Sequence, residues 1–161
     1  MVATQQQHVP AHRVQYTAKV VCGEVPDNWG DWPAVSGYYK TAVNIRNNTE
    51  APVQIDKHIS LAYRDMIAVG REPGLVPDEW QDQIQLPPHH STMDDCARLY
   101  QLTGLPFGTF LEGYLELNAF TTGARDIPGL VVDAFYSANS FAMPDQAPSI
   151  VVQRIHNDYV M

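Results

Sequence analysis

Two consecutive runs of strict alternation constrain this chain most. From Tyr38 to Asn47 (YYKTAVNIRN), Tyr39, Thr41, Val43 and Ile45 alternate with Lys40, Ala42, Asn44 and Arg46. From Val53 to Tyr63 (VQIDKHISLAY), Val53, Ile55, Ile59, Leu61 and Tyr63 share one face, interrupted by Lys57. A period of two is the mark of a half-buried strand. Asn47-Asn48-Thr49-Glu50 between them reads as a turn, because Asn tolerates left-handed backbone. Two alternating runs joined by a short turn predict an antiparallel hairpin.

The rest of the chain repeats this grammar. Val14–Cys22 is a run of β-formers closed by Gly23. Short strands are expected over Gln83–Leu86, which ends at Pro87-Pro88, and from Thr92 to Cys96. Ala97–Leu102 (ARLYQL) suits a helical turn or two, stopped by Gly104 and Pro106. Thr109–Phe120 is a further strand, with Gly113 as a candidate bulge. Leu130–Ala138 and Ser149–Ile155 are nearly continuous apolar runs and are expected to be central strands. Two segments stand apart. Glu24–Ser36 is a loop carrying Trp29 and Trp32, and Asp65–Asp82 is a long irregular insertion carrying Trp80. The pattern predicts an all-β fold, an antiparallel sandwich of about seven or eight strands with one short helical segment near 97–102. Residues 1–13 read as a flexible or partner-bound arm, and 14–161 as a single domain.

Composition removes several function classes. Hydrophobic residues make up 45% and charged residues 17%, so the chain is globular rather than disordered. Ten basic and 18 acidic residues give a net charge of −8, which disfavours nucleic acid and anionic membrane surfaces. No stretch has the length of a membrane-spanning helix, so no membrane insertion is expected. The polar Met1–Arg13 segment lacks the apolar centre of a signal peptide, so the expected location is cytoplasmic as written. A secreted protein with its signal removed would read the same way.

Candidate chemistry is sparse. No G-x-S-x-G elbow, phosphate loop, HExxH or CxxC motif is present. The densest cluster is PPHHSTMDDC, in which His89, His90 and Asp94 form a candidate metal set, with His58 and His156 as remote additions. Adjacent histidines on a strand point to opposite faces, so the set requires a turn. Glu112 and Glu116 lie on one strand face around Tyr114, either as a solvated surface or as an acid/base pair. Lys57 on an apolar face calls for an edge to reach solvent or an acidic partner at an interface. Cys22 and Cys96 read either as two buried thiols or as a disulfide across the sandwich. No cofactor is indicated.

Some residues carry a resemblance. Tyr16-Thr17-Ala18-Lys19 with Val21-Cys22-Gly23 resembles a recurring opening in small, uncharacterised bacterial β-sandwich proteins. There it precedes a G-x-Y-x-T-x-x-N-I strand, matched by Gly37, Tyr39, Thr41, Asn44 and Ile45. Asp95-Cys96 and an L-x-V-x-A-x-Y strand (Leu130, Val132, Ala134, Tyr136) extend the likeness over residues 16–155. It implies the fold and assigns no chemistry. More distantly, the layout is similar to sensory-rhodopsin-transducer-type sandwiches, soluble homo-oligomers that bind protein or small ligands. The 65–82 insertion and the His89-His90 pair depart from the pattern.

Three functional expectations follow. The first is a non-enzymatic binding or assembly module that forms a homo-oligomer or protein complex. The second is a small-molecule-binding protein or enzyme, its pocket at one end of the sandwich near Trp29, Trp32, Trp80 and the histidines; Trp29, Trp32, Trp80 and His58 are the candidate ligand or partner surface. The third is a metal-binding module built on His89, His90 and Asp94.

Overall fold

The computed structural model describes residues 13–27, 34–64, 67–68, 79–120, 129–141 and 147–160. The expected arm at 1–13 lies almost wholly outside them, as do Trp29 and Trp32. The described elements are β1 (Arg13–Val25), β2 (Gly37–Asn47), β3 (Val53–Arg64), β4 (Ile67–Ala68), β5 (Glu79–Leu86), β6 (Ser91–Asp95), α1 (Cys96–Thr103), β7 (Leu111–Phe120), β8 (Leu130–Ser140), β9 (Ser149–Arg154) and β10 (Asn157–Val160). The protein is all-β and antiparallel with one short helix. Among the described residues ten strands stand where seven or eight were expected, and the additions include the two-residue β4 and the four-residue β10.

One sheet has β3 at its middle, paired to β5 and β4 on one side and to β7 on the other; β7 then pairs β1. The second sheet has β2 at its middle, paired to β8 on one side and β6 on the other, with β9 outside β8. β1 belongs to both. Arg13–Cys22 pairs with β7, and Gly23–Val25 then pairs with β2. Gly23 is therefore a crossing point inside a strand and not its end. Its φ of +95° suits glycine, and a Cβ there would collide with the Thr109 carbonyl.

The expected Tyr38–Tyr63 hairpin does not form. β2 and β3 lie in different sheets and are not paired with each other. The connection is an arch. Asn47 is fully buried, and its amide nitrogen donates to the carbonyls of Ala51 (2.8 Å), Leu86 (3.1 Å) and Pro87 (3.1 Å). Its amide oxygen accepts from the Thr49 backbone and hydroxyl at 2.9 and 2.7 Å. The amide thus supplies the partners that a hairpin ladder would have supplied at this corner. The expectation that Ser149–Ile155 is central also fails: among the described residues β9 is an edge strand. Its apolar run is exposed on both faces rather than buried on both.

The core fills the space between the sheets. Val14, Tyr16, Ala18, Val20, Ile55, Ile59, Leu115 and Leu117 come from the first sheet, and Val43, Ile45, Val132 and Ala134 from the second. Where β1 leaves the second sheet, side chains replace the missing ladder. The Thr41 hydroxyl donates to the Val21 carbonyl (2.9 Å) and accepts from its N–H (3.0 Å). The Tyr16 hydroxyl donates to the Leu130 carbonyl and that of Tyr136 to the Lys19 carbonyl, both at 3.0 Å. These bonds satisfy groups that would otherwise be stranded between diverging strands.

A register shift occurs in β3 between Leu61 and Tyr63, opposite Gly113. A Cβ on Gly113 would strike the Ser60 carbonyl oxygen, which is backbone and cannot swing aside. The irregularity foreseen in β7 therefore sits on its neighbour, and Gly113 is what lets that neighbour approach. Gly113→Ala is expected to cost about 1–3 kcal/mol, the range for overpacking and displaced backbone. Equilibrium urea unfolding measures it, and a cost near zero would show that the strands have room to part.

α1 opens with an Asp95 cap, whose side chain accepts from the Arg98 N–H at 2.9 Å. It closes on Gly104, left-handed at φ +70°. It runs slightly longer than the expected 97–102. Its first residue, Cys96, is disulfide-bonded to Cys22 of β1, across 74 residues of chain.

Candidate functional site

Three surfaces and one buried cluster carry the chemistry of this fold. The first surface is the β9 edge. All six residues from Ser149 to Arg154 are exposed, and Ile150, Val151 and Val152 are 58%, 56% and 68% accessible. Alternation places Ile150 and Val152 on one face and Val151 on the other. On its inner side β9 pairs with β8; among the described residues no strand pairs its outer side. The usual guards on an open edge are Lys, Pro, a bulge or an inward charge. β9 has none of these along Ser149–Gln153, and Arg154 at its end is paired to Asp133 at 2.6 Å. A groove of about 510 Å³ lies beside the start of β9, lined by Tyr38, Lys40, Ser137, Ala138, Asn139 and Pro148. Tyr38 packs edge-on against Phe141 there, at 4.9 Å between ring centres.

The second surface is the outer face of the first sheet. A groove of about 610 Å³ is lined by Asp56, Lys57, His58, Gln81, Asp82, Gln83 and Asn118. Asp56 accepts from Gln83 at 2.7 Å and from Gln54 at 3.1 Å. Asn118 accepts from Arg13 and donates to Glu116 at 2.8 Å. Farther along, Glu112 pairs with Lys19 at 2.5 Å. That hydrogen bond holds the Lys19 ammonium above its ordinary range, against the opposing effect of burial. Glu112 and Glu116 each face a cation across the strands. They form part of a charge-paired sheet surface and not an acid/base couple aimed at a cavity.

The third surface is the turn before β6. His89 has φ +59° and pairs with Glu50 at 3.1 Å, while His90 contacts the Pro88 carbonyl at 2.8 Å. Both rings are exposed, whereas Asp94 is 1% exposed and points into the core. The structure does not bring these three together. Among the described residues no group of three His, Cys, Asp or Glu gathers for a metal. His58 lines the polar groove on β3, and Trp80 packs against the core from β5. They belong to different faces, and the other two tryptophans fall outside the described residues.

The buried cluster was only half visible in the sequence. Lys57 on β3 reaches across the core to Asp94 on β6, with Nζ to Oδ1 at 2.8 Å. Their side chains are 3% and 2% exposed. The other oxygen, Asp94 Oδ2, is buried with no hydrogen-bond partner among the described residues. Asp82 lies opposite Lys57 on β5, and cross-strand partners share a face. Arg98 of α1 donates to Asp82 at 2.8 Å. Partial burial pushes the Asp82 carboxyl up, but the Arg98 hydrogen bond, a backbone bond from Gln83 and the charges of Arg98 and Lys57 outweigh it. The net displacement is downward. The odd lysine in the Val53–Tyr63 pattern was the sequence signal for this cluster; nothing local named Asp94 as its partner.

No family model, curated protein or solved structure matches this chain. Among the described residues no helix is long and apolar enough to cross a membrane.

Proposed function

We propose that this protein is a non-enzymatic assembly module whose β9 edge pairs with the β9 edge of a second copy. The observation that carries this is a six-residue edge strand with both faces exposed, an apolar centre and no guard against strand addition. A second copy is the occupant the strand itself favours. Antiparallel pairing centred on Val151 sets Val151 against Val151 and Ile150 against Val152, and a two-fold contact needs this self-complementarity. The net charge of −8 would oppose contact elsewhere, but β9 contains no carboxylate. Paired sheets would continue β2-β8-β9 into the partner and bury the exposed valines. The disulfide suits a protein that matures in an oxidising compartment, where such bonds persist.

Sedimentation velocity tests the reading. The unmodified chain is expected to run as a dimer or a higher even-numbered assembly, and Val151→Lys with Val152→Lys as a folded monomer. A wild-type monomer at high concentration, or an assembly indifferent to both lysines, rules the edge out.

A further inference from the structure

We propose that Lys57 and Asp94 join through an amide bond, making an internal covalent link between the two sheets in addition to the disulfide. Two features of the buried cluster call for it. The first is a pair of charges placed between two apolar sheet faces, where each ion costs several kcal/mol of desolvation. The second is the Asp94 Oδ2 atom, buried and without a hydrogen-bond partner among the described residues. Bond formation removes both, because two charges become one neutral amide and one carboxyl oxygen leaves.

The atoms balance without any outside reagent. One ammonium proton moves from Lys57 to the Asp94 carboxylate, giving a neutral amine in contact with a carboxylic acid. The Nζ lone pair attacks Asp94 Cγ and a C–N bond forms. The C–O bond to one carboxyl oxygen breaks, and that oxygen leaves as water with the transferred proton and a second proton from nitrogen. No oxidation state changes. Asp82 is placed to carry the second proton, since it faces the same, inner side of the sheet from the adjacent strand. The Asp82 side chain is 19% exposed, so water can leave past it.

Condensation of an amine with an acid is negligible between free molecules at neutral pH. Here the partners are fixed in contact by two sheets and a disulfide. Effective molarities of about 10⁵–10⁸ M are available to well-oriented groups. Cys96 follows Asp95 directly at the end of β6, so its bond to Cys22 anchors the strand that presents Asp94. Pairing of Ala42–Arg46 with Asp95–Ser91 fixes that strand's register.

Intact-mass spectrometry of the full chain, after reduction of the disulfide, tests the proposal. The expected mass is one water below the sequence mass. Trypsin should then yield segments 47–64 and 72–98 as one linked species, uncut after Lys57. Lys57→Arg keeps the charge but is expected to show the full mass. Asp82→Asn is expected to lower the fraction of chains that have lost water. A wild-type mass equal to the sequence mass overturns the bond, as does a water loss that persists in Lys57→Arg or maps to other segments. A complete water loss in Asp82→Asn overturns the proton-carrying role of Asp82.

Discussion

Removing the Cys22–Cys96 bond is expected to lower the free energy of unfolding by about 4 kcal/mol. The link closes a 74-residue segment. The loop-entropy relation for that length gives this value at room temperature, because the cross-link restricts the unfolded chain much more than the folded one. The folded state has no compensating gain on reduction: Cys22 is fully buried, and the Thr41 N–H donates to the Cys96 sulfur at 3.2 Å. For a chain of this size the loss corresponds to a fall in Tm on the order of 10 °C. Urea unfolding of the wild type and of a Cys22→Ala, Cys96→Ala variant measures it. The slope against urea should also rise, because the released unfolded chain exposes more surface. A difference below about 1 kcal/mol would mean that the bond does not constrain the unfolded state.

Asp94→Ala is expected to cost about 3–5 kcal/mol, the range for breaking a buried pair from one side. The substitution leaves the Lys57 ammonium among Ile55, Ile59 and Leu117 with its short contact gone. It also removes the acceptor of the proposed amide. Replacing both partners, as Lys57→Met with Asp94→Leu, is expected to recover part of the loss, since no charge is then left buried. The same unfolding titration reads both variants. If Asp94→Ala cost less than about 1 kcal/mol, Lys57 would have a route to water and the cluster would not be a closed site.

The two predictions concern the same seam. Asp94, Asp95 and Cys96 are consecutive, and they make respectively a cross-sheet ion pair, a helix cap and a cross-sheet disulfide. β6 is five residues long and pairs with β2 alone among the described residues. The DDC segment locks it to the opposite sheet. In the sequence the same residues read as part of a possible metal cluster, because His89, His90 and Asp94 are near neighbours in the chain. The turn separates them: the imidazoles face solvent while Asp94 turns inward. Side-chain direction at a turn depends on backbone angles that residue types only bias.

Strand content was legible because it is a local property. The period of two in Tyr38–Asn47 and Val53–Tyr63 shows directly as alternating burial in β2 and β3. The misplaced lysine in that pattern was legible too, as a demand for a partner. Pairing was not legible. A hairpin and an arch join two alternating runs through the same kind of short polar turn. Here the buried Asn47 amide and its three carbonyl partners decide for the arch, and two of those carbonyls come from residues about forty positions away. The apolar run of β9 likewise had two meanings, a strand buried on both faces or a strand exposed on both. Only the topology, which places it outside β8, separates them.

By itself, then, the sequence determined an all-β chain of antiparallel strands with one helical segment stopped at Gly104, and a net charge of −8. Periodicity, capping and charge act over a few residues, so they can be read from the chain. The tertiary structure decided that β1 serves both sheets, that β9 is an edge among the described residues, and that Lys57 meets Asp94 while Cys22 meets Cys96. Each of these depends on contacts between distant segments, whose selection rests on the packing of the whole core and leaves no local mark.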